Sequence, residues 1–379
     1  MTLRTRRFIY SVFIAIFLLC VPLVILYTLG YRYNFEKNKI QKTGIFILKS
    51  EPEKALIFLN GKLQKEKTPA RIINLLPNDY LVKVEKENFY PWQKNLTIQS
   101  RFTTFAENIF LFEKNQPKKI MDGNVVFFSL SPNNQDAVFI KKENVGKEIW
   151  HIDLEDHKTN LLYRLPSKTN ETVNVEWSAD GQKIVINQAK TEKYIVLDIK
   201  ADNASVYDDL SLFYSSFREI KNKLLEPKNL DDFTFIKSPS SFTTTLNKKN
   251  KDISVFSNDT DNIVWQEKAE LAKWSPNENK ILYLKNLELW IYDFSKNNSA
   301  LITRDSQEIK EIFWINDDYI LILVGNTLKS IELDDRDTRN VTNLLSENKI
   351  KNVALDSDEQ KIYFTIEAEN EKGIFELSY

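Results

Sequence analysis

The sequence predicts an all-β protein that begins with one transmembrane helix and continues as a small β-sandwich followed by a six-bladed β-propeller. Three observations predict this architecture. Residues 8–30 form a long uncharged run, residues 43–112 alternate short apolar strands with turn residues, and residues 116–379 repeat one turn-and-strand pattern. The chain has 379 residues, of which 42% are hydrophobic, which is enough for about two or three domains.

The N-terminal helix is predicted from the uncharged run between Phe8 and Gly30. At a rise of about 1.5 Å per residue, this run can cross a hydrocarbon core about 30 Å thick. Arg4, Arg6 and Arg7 precede it. Residues 1–7 are therefore predicted to be a cytoplasmic basic tail, with the later domains outside the cell membrane. A cleaved signal peptide is the main alternative, although such a peptide has a shorter apolar core and a cleavage site between small residues.

Composition argues against several classes of function. The 52 Lys and Arg residues balance 53 Asp and Glu residues, so the net charge of -1 gives no general attraction to nucleic acid. The eight glycines are scattered and form no phosphate-binding loop. Cys20 is the single cysteine and lies inside the apolar run, which rules out an intrachain disulfide and a cysteine-based zinc site. No cofactor is therefore predicted.

The stretch after the helix is predicted to contain about six or seven short strands, as a small sandwich requires. Residues 43–49 alternate in polarity, and Leu56–Leu59 is a second apolar run. Asn60-Gly61 follows, a dipeptide that favours the positive φ angles of a tight hairpin turn. A hairpin is therefore expected at Asn60-Gly61.

Several motifs in this stretch follow one another in the order and spacing of a known family. They are Ser50–Ala55, Ile57–Gly61, Thr68–Pro69, Leu76–Tyr80 and Val84–Trp92. Over residues 43–112 the chain resembles a bacterial PEGA domain, so the sandwich is expected to be of PEGA type. The resemblance implies a spacer or interaction module of an envelope protein, with no catalytic residues.

Two positions within the resemblance leave alternatives open. Lys54 replaces the glycine of the tetrapeptide that gives the family its name, so the turn there has either a different positive φ or an ordinary negative one. Phe89 and Trp92 could form a stacking platform for a glycan. Packing in the core or at a sheet edge is the favoured interpretation of both rings.

The propeller is predicted from a motif in which a strand ends in a polar turn. The turns begin at Ser131, Ser178, Ser238, Ser275, Ile315 and Asp356. Their spacings of 47, 60, 37, 40 and 41 residues lie near the blade period of about 40–45 residues. The pattern resembles WD40-like, TolB-type propeller repeats. Residues 178–181 also echo the Asp-box of sialidases, but we interpret them as a blade turn.

The one long spacing holds an insertion at residues 210–225, whose apolar residues recur near a 3.6-residue period. A short amphipathic helix is predicted there. Docking on its own propeller is the favoured placement, because a lone surface helix needs packing. A membrane surface or a partner protein is the alternative.

The last blade is predicted to be completed by the start of the propeller. Three strands near residues 350–355, 361–366 and 373–377 form the final repeat, which lacks an outer strand. An open edge leaves unpaired backbone groups. Residues 116–121 precede the first repeat and are predicted to pair with residues 373–377, which makes residues 116–379 one propeller domain.

No enzyme site can be assembled from the motifs, so catalytic, cofactor-binding and metal-binding residues are all predicted to be none. His151 and His157 lack the spacing of a zinc-binding pair and are predicted to lie at the surface. The acidic pairs beginning at Asp259, Asp334 and Asp356 could bind calcium, but they lie in turns and are better explained as solvated loop acids.

Two classes of function remain. The first is a membrane-anchored extracytoplasmic scaffold or binding protein with an unidentified protein or cell-wall glycan partner and no affinity for nucleic acid. The second is a glycosidase-like or other hydrolase built on the propeller. The second class requires two carboxylates that converge about 5–10 Å apart in a central depression.

Overall fold

The computed structural model describes residues 3–35, 37–144, 146–165, 173–178, 180–188, 194–200, 204–207, 233–260, 262–346, 349–368 and 371–379. The chain forms two compact units. The first comprises Met1–Lys114 together with Asp334–Asn340, and the second comprises Asn115–Leu333 and Val341–Tyr379. The helix predicted at residues 210–225 lies outside the described residues.

The first unit begins with helix α1, Leu3–Thr28, which includes Pro22. Within it, Thr5–Thr28 is long and apolar enough to cross a membrane, and no part of its apolar window is covered by the rest of the protein. It is the one such helix among the described residues. An N-terminal signal sequence has the same length and composition.

A two-stranded hairpin follows α1. Strand β1 is Tyr31–Asn34 and strand β2 is Lys39–Lys42. They pair in antiparallel register from Tyr31 opposite Lys42 to Asn34 opposite Lys39. The sequence did not predict this hairpin, because its strands are short and carry no apolar alternation that would indicate a buried face.

Seven strands then form a sandwich of two sheets. They are β3 (Gly44–Glu51), β4 (Leu56–Leu59), β5 (Lys62–Lys67), β6 (Ala70–Leu75), β7 (Asp79–Glu85), β8 (Trp92–Thr97) and β9 (Thr103–Phe110). One sheet has the order β6-β3-β9 and the other the order β5-β4-β7-β8. Strands β3 and β9 are parallel, whereas the other neighbours are antiparallel.

The two sheets share one hydrophobic core, because alternate residues of each strand point between them. Trp92 is buried in this core and Phe89 packs against it, which confirms core packing for both rings. Asn60 and Gly61 both have positive φ angles at the tight turn between β4 and β5, as predicted. Lys54 has a φ of 65°, so the alternative of an ordinary negative φ at that position is wrong.

The second unit is a six-bladed β-propeller, and each blade is a four-stranded sheet. The strands of the first three blades are β11 (Val125–Leu130), β12 (Asp136–Glu143), β13 (Gly146–Asp153) and β14 (Thr159–Leu165); β15 (Val173–Trp177), β16 (Lys183–Gln188), β17 (Tyr194–Asp198) and β18 (Ala204–Tyr207); and β19 (Phe233–Ile236), β20 (Phe242–Asn247), β21 (Asp252–Ser257) and β22 (Ile263–Lys268). Within each of these sheets the strands follow one another in chain order.

The next two blades repeat this arrangement, and the sixth departs from it. Their strands are β23 (Leu271–Trp274), β24 (Lys280–Lys285), β25 (Glu288–Asp293) and β26 (Asn298–Arg304); β27 (Ile309–Trp314), β28 (Tyr319–Val324), β29 (Thr327–Glu332) and β30 (Val341–Ser346); and β31 (Ile350–Asp356), β32 (Lys361–Glu367), β33 (Lys372–Ser378) and β10 (Lys118–Asp122). The order in the sixth sheet is β10-β33-β32-β31.

The ring closes as the sequence predicted. Strand β10, from the start of the unit, pairs with β33 from Lys118 opposite Glu376 to Asp122 opposite Gly373. A Cβ atom at Gly373 would lie 2.1 Å from the backbone oxygen of Met121. Only glycine allows the two backbones to approach this closely, so the residue type at this position is set by the closure.

Three of the blade turns share one hydrogen-bonding scheme, which explains the serine that begins each of them. In the turns that begin at Ser131, Ser178 and Ser275, the serine hydroxyl accepts from the backbone N–H five residues later at 3.1, 2.9 and 3.0 Å. The same hydroxyl donates to the side chain two residues later, as from Ser178 to Asp180 Oδ1 at 2.5 Å. Residues 178–181 are therefore one copy of the blade turn.

Candidate functional site

The first strands of the blades approach one another. Strand β11 contacts β31 across the closure, and β23 contacts β27 in the next pair of blades. In a propeller the blades surround a central channel, so side chains on these strands can reach a shared space. Their alternation decides which residues do so, since successive residues of a strand point to opposite faces.

Strand β27 illustrates this alternation. Ile312 and Trp314 are buried in the core between its own blade and the preceding one. The Trp314 indole N–H donates to the Lys273 carbonyl oxygen at 3.0 Å, which ties β27 to β23. Glu311 and Phe313 occupy the other face, where both are half-buried.

Lys273, on the neighbouring strand β23, lies against this second face. Its ammonium Nζ is 3.5 Å from the centroid of the Phe313 ring, a cation–π contact. Burial of the ammonium lowers the pKa of Lys273 to about 8, against the opposing attraction of the Glu311 carboxylate. We call Lys273, Glu311 and Phe313 the inner-strand cluster.

Glu311 is also poorly solvated. Burial raises the pKa of its carboxyl group, and the nearby Lys273 charge opposes that rise. The two side chains attract each other electrostatically, but no hydrogen bond between them contributes to either pKa. A desolvated charge without a hydrogen-bonding partner is costly to bury. The cluster can therefore gain by binding a group that both donates and accepts hydrogen bonds.

No motif in the sequence predicts this cluster. Lys273 and Phe313 lie directly before Trp274 and Trp314, just ahead of the turns that begin at Ser275 and Ile315. One signal was available, because a residue next to a core tryptophan on the same strand must face away from that core. Which residues then meet depends on the placement of neighbouring blades, which the motif does not encode.

The prediction for His151 was wrong. Its side chain is buried, and its Nε2 lies 2.6 Å from Asp136 Oδ1 on the adjacent strand. The Asp136 carboxylate, on the strand paired with that of His151, gives Nε2 a hydrogen-bonding partner inside the first blade, whereas Nδ1 is buried without a partner among the described residues. His157 is half-buried in the turn between β13 and β14, with Nε2 3.8 Å from Glu376 Oε2.

Asp334 and Asp356, which begin two of the acidic pairs, accept hydrogen bonds within their own turns. Asp356 Oδ1 accepts from the backbone N–H groups of Asp358 and Glu359 at 3.1 and 3.2 Å. Burial alone would raise the pKa of Asp334, but hydrogen bonds from Arg336 hold it below its usual value. Asp259 is described, whereas its partner at position 261 is not. No group of three or more possible ligands for a metal ion occurs among the residues that the structure describes.

The sandwich and the propeller can be compared with known families. The PEGA domain family matches residues 43–109. This chain contains a PEGA domain. The match covers all seven strands of the sandwich except the last residue of β9.

A second family match lies in the propeller. The family described as the N-terminal region of dipeptidyl peptidase IV matches residues 239–321, which run from β20 into β28. This segment includes Lys273, Glu311 and Phe313. No curated protein matches the chain.

Solved structures give more distant likenesses. One is the Cps50 (Swd1) β-propeller domain of Myceliophteria thermophila, with a TM-score of 0.44 and 8% identity, covering 70% of this chain and 99% of that one. A chain of a mitotic checkpoint complex has a TM-score of 0.49 and 9% identity over 71% and 96% of the two chains. TolB from Acinetobacter baumannii has a TM-score of 0.40 and 11% identity over 71% and 61%.

Proposed function

We propose that this protein is a non-catalytic binding or scaffold protein of the cell envelope, held in the cell membrane by α1. The inner-strand cluster carries the binding part of the proposal. Lys273 offers a hydrogen-bond donor, Glu311 an acceptor and Phe313 a flat apolar face. These three chemistries suit a polar ligand group such as a peptide amide or the acetamido and hydroxyl groups of a glycan. A nucleophile with an adjacent general base, which acyl transfer needs, is not among the three.

The anchor and its orientation complete the proposal. The apolar helix is uncovered along its length, and basic residues precede it at Arg4, Arg6 and Arg7. These three arginines lie within four residues of the span, closer to it than Lys37, Lys39 and Lys42 on the other side, and on this ground we propose that the N-terminus remains in the cytoplasm with the PEGA domain and the propeller outside. In chain order the PEGA domain follows the anchor and precedes the propeller, and its proposed role is that of a spacer.

Protease access tests the orientation. Protease added to intact cells whose outer layers have been opened is expected to digest the chain beyond Tyr33. A cysteine placed at Lys65, on the exposed strand β5, should react with a membrane-impermeant maleimide in a Cys20→Ser background. A cysteine at Thr2 should react only after lysis. Full protection of the propeller, or labelling of Thr2→Cys in intact cells, contradicts the orientation.

Binding is tested by comparing the wild-type chain with a variant of the cluster. Purified full-length protein is incubated with cell-wall glycan fragments and, separately, with solubilised native membranes. The variant Lys273→Met/Glu311→Gln should lose at least one interaction that the wild-type protein makes. The matched control is Lys280→Met, on the neighbouring strand β24. An interaction retained by the double variant would place the binding surface elsewhere.

The hydrolase alternative is favoured by one observation, the match of residues 239–321 to the N-terminal region of dipeptidyl peptidase IV. We expect no turnover of peptidase, esterase or glycosidase substrates by the full-length protein. Robust turnover that is lost on Glu311→Gln would refute the non-catalytic proposal. Turnover that survives this substitution would refute it as well and would put the catalytic groups outside the inner-strand cluster.

A further inference from the structure

The hairpin of β1 and β2 presents an unusual surface for a short polar element. Its exposed residues include Tyr33, Phe35 and Ile40, which are 47%, 83% and 58% exposed. The Tyr33 and Phe35 rings contact each other edge to face, with centroids 4.9 Å apart. A cluster of aromatic and aliphatic side chains left in contact with water indicates an interaction surface.

The same hairpin is basic. Residues 31–42 contain four basic residues, Arg32, Lys37, Lys39 and Lys42, and one acidic residue, Glu36. The chain as a whole carries a net charge of only -1, so the positive charge here is a local feature. Basic side chains beside exposed aromatic rings are typical of protein segments at the headgroup level of a membrane.

The distance from the helix places the hairpin at that level. Only Leu29 and Gly30 lie between α1 and β1, and two residues span at most about 7 Å. Each headgroup layer is about 5–8 Å thick, since the full bilayer exceeds its hydrocarbon core by about 10–15 Å. A hairpin that starts this close to the end of a membrane span must begin within or directly beside the headgroups.

Specific contacts hold the hairpin to the end of the helix. The Arg32 guanidinium carbon is 3.6 Å from the centroid of the Tyr27 ring, and Arg32 Nη1 donates to the Tyr27 carbonyl oxygen at 2.8 Å. The backbone N–H of Thr43, just after β2, donates to the Gly30 carbonyl oxygen at 2.9 Å. Both ends of the hairpin are therefore fixed beside the last turn of α1.

We propose that the β1–β2 hairpin is a binding surface for the anionic headgroups of the membrane that α1 crosses. The aromatic residues enter the interface, and Lys37, Lys39 and Lys42 contact lipid phosphates. The proposal rests on the membrane anchoring described above. A partner protein on the same surface is an outcome that the following test separates.

The test uses full-length protein reconstituted into vesicles of phosphatidylcholine alone or with three-tenths phosphatidylglycerol. An environment-sensitive fluorophore is attached to Phe35→Cys in a Cys20→Ser background, and spin-labelled lipids serve as quenchers. We expect a blue-shifted emission and strong quenching at position 35, with both effects larger in the anionic vesicles. A label at Lys65→Cys, on exposed strand β5, is the control and should remain unquenched.

The charge requirement is tested in the same vesicles. The variant Lys37→Gln/Lys39→Gln/Lys42→Gln should lose the additional quenching that phosphatidylglycerol produces and retain the quenching seen in phosphatidylcholine. Equal quenching of the variant and the parent in anionic vesicles would overturn the role of the lysines.

A label on α1 distinguishes a wrong prediction for the hairpin from a wrong prediction for the membrane anchor. The native Cys20, labelled in the wild-type chain, reports on α1 itself. If Cys20 is quenched and position 35 is as unquenched as position 65, the hairpin faces water or a protein and the inference is wrong. If Cys20 is also unquenched, α1 does not cross the membrane and the proposed function is wrong as well.

Discussion

The PEGA domain buries Lys94, the propeller half-buries Lys273, and the surroundings of the two charges differ. Lys94 of the PEGA domain has a fully buried side chain, and its Nζ donates to the Asp334 carbonyl oxygen at 2.7 Å. The Asp334 carboxylate lies 3.5 Å from the same nitrogen, within the same compact unit. Lys273 of the propeller has an aromatic ring in contact and a carboxylate nearby, without a hydrogen bond between the charges.

The comparison distinguishes a charged group that is hydrogen-bonded within its domain from a charged group that can still bind another molecule. A buried ammonium that donates to a carbonyl and lies beside a carboxylate has recovered the interactions it lost with water, so it stabilises its domain. A desolvated ammonium without such partners lowers stability and can regain it by binding. We therefore expect Lys94 to matter for folding of the PEGA domain and Lys273 to matter for binding by the propeller.

The largest expected effect concerns how the two regions close their sheets. The PEGA domain closes over one core formed by consecutive strands, whereas the propeller depends on β10 pairing with β33. Gly373→Ala places a methyl group against the Met121 carbonyl oxygen and should destabilise the propeller by about 4 kcal/mol. Hydrogen exchange measured by mass spectrometry should show faster exchange in propeller peptides and unchanged exchange in β3–β9.

The neighbouring residue provides the control for this prediction. Lys372 is exposed, so Lys372→Ala should leave exchange in both regions close to that of the wild-type protein. Unchanged protection of the propeller in Gly373→Ala would mean that β10 is not required for closure. Loss of protection in the PEGA domain as well would mean that the two regions unfold together.

The closure shows why much of the fold could be predicted. Asn60-Gly61 encodes its hairpin locally through φ preferences, and the serine of three blade turns encodes the turn through its own hydroxyl. The pairing of β10 followed from a general rule, that a last blade with an open edge needs a partner. In each case the information lies within a few residues or within a rule of sheet formation.

The candidate site was less predictable because it depends on which strands become neighbours. Lys273 and Glu311 lie in different blades, and only the packing of β23 beside β27 brings them together. His151 was expected at the surface because a single histidine in a polar hairpin gives no sign of its partner. In the fold its Nε2 meets Asp136 on the adjacent strand, a contact that depends on how β12 pairs with β13 and not on a motif.

The next largest effect is expected at Lys94. Lys94→Ala removes the donor to the Asp334 carbonyl oxygen and leaves a cavity, which should destabilise the PEGA domain by about 2–3 kcal/mol. The measurement is exchange protection of β7 and β8, with Gln93→Ala as the exposed control on the same strand. An effect no larger than that of Gln93→Ala would show that the buried ammonium contributes nothing to the fold.

The smallest effect, and the one of opposite sign, is expected at Lys273. Lys273→Met retains the length of the side chain and removes a desolvated charge, so at pH 7 the free energy of unfolding of the propeller should rise by about 1–2 kcal/mol.

This gain in stability should depend on pH. The folded protein releases the Lys273 proton near its pKa of about 8, whereas the unfolded chain keeps it to about 10.5. Between these pH values the unfolded chain binds more protons, so the stability of the wild-type protein rises with pH by at most about 1.4 kcal/mol per pH unit.

Lys273→Met lacks this titration, so its advantage over the wild-type protein should shrink as the pH rises from 7 to 9.5. Urea unfolding of the propeller at several pH values measures the difference, and taking it against the wild-type protein at each pH cancels the titration of the other lysines. Lys372→Met is the matched control, because it removes an exposed lysine and should give a difference near zero at every pH. A stabilisation by Lys273→Met that stays constant from pH 7 to 9.5 would show that the Lys273 ammonium is solvated, and the contrast with Lys94 would then disappear.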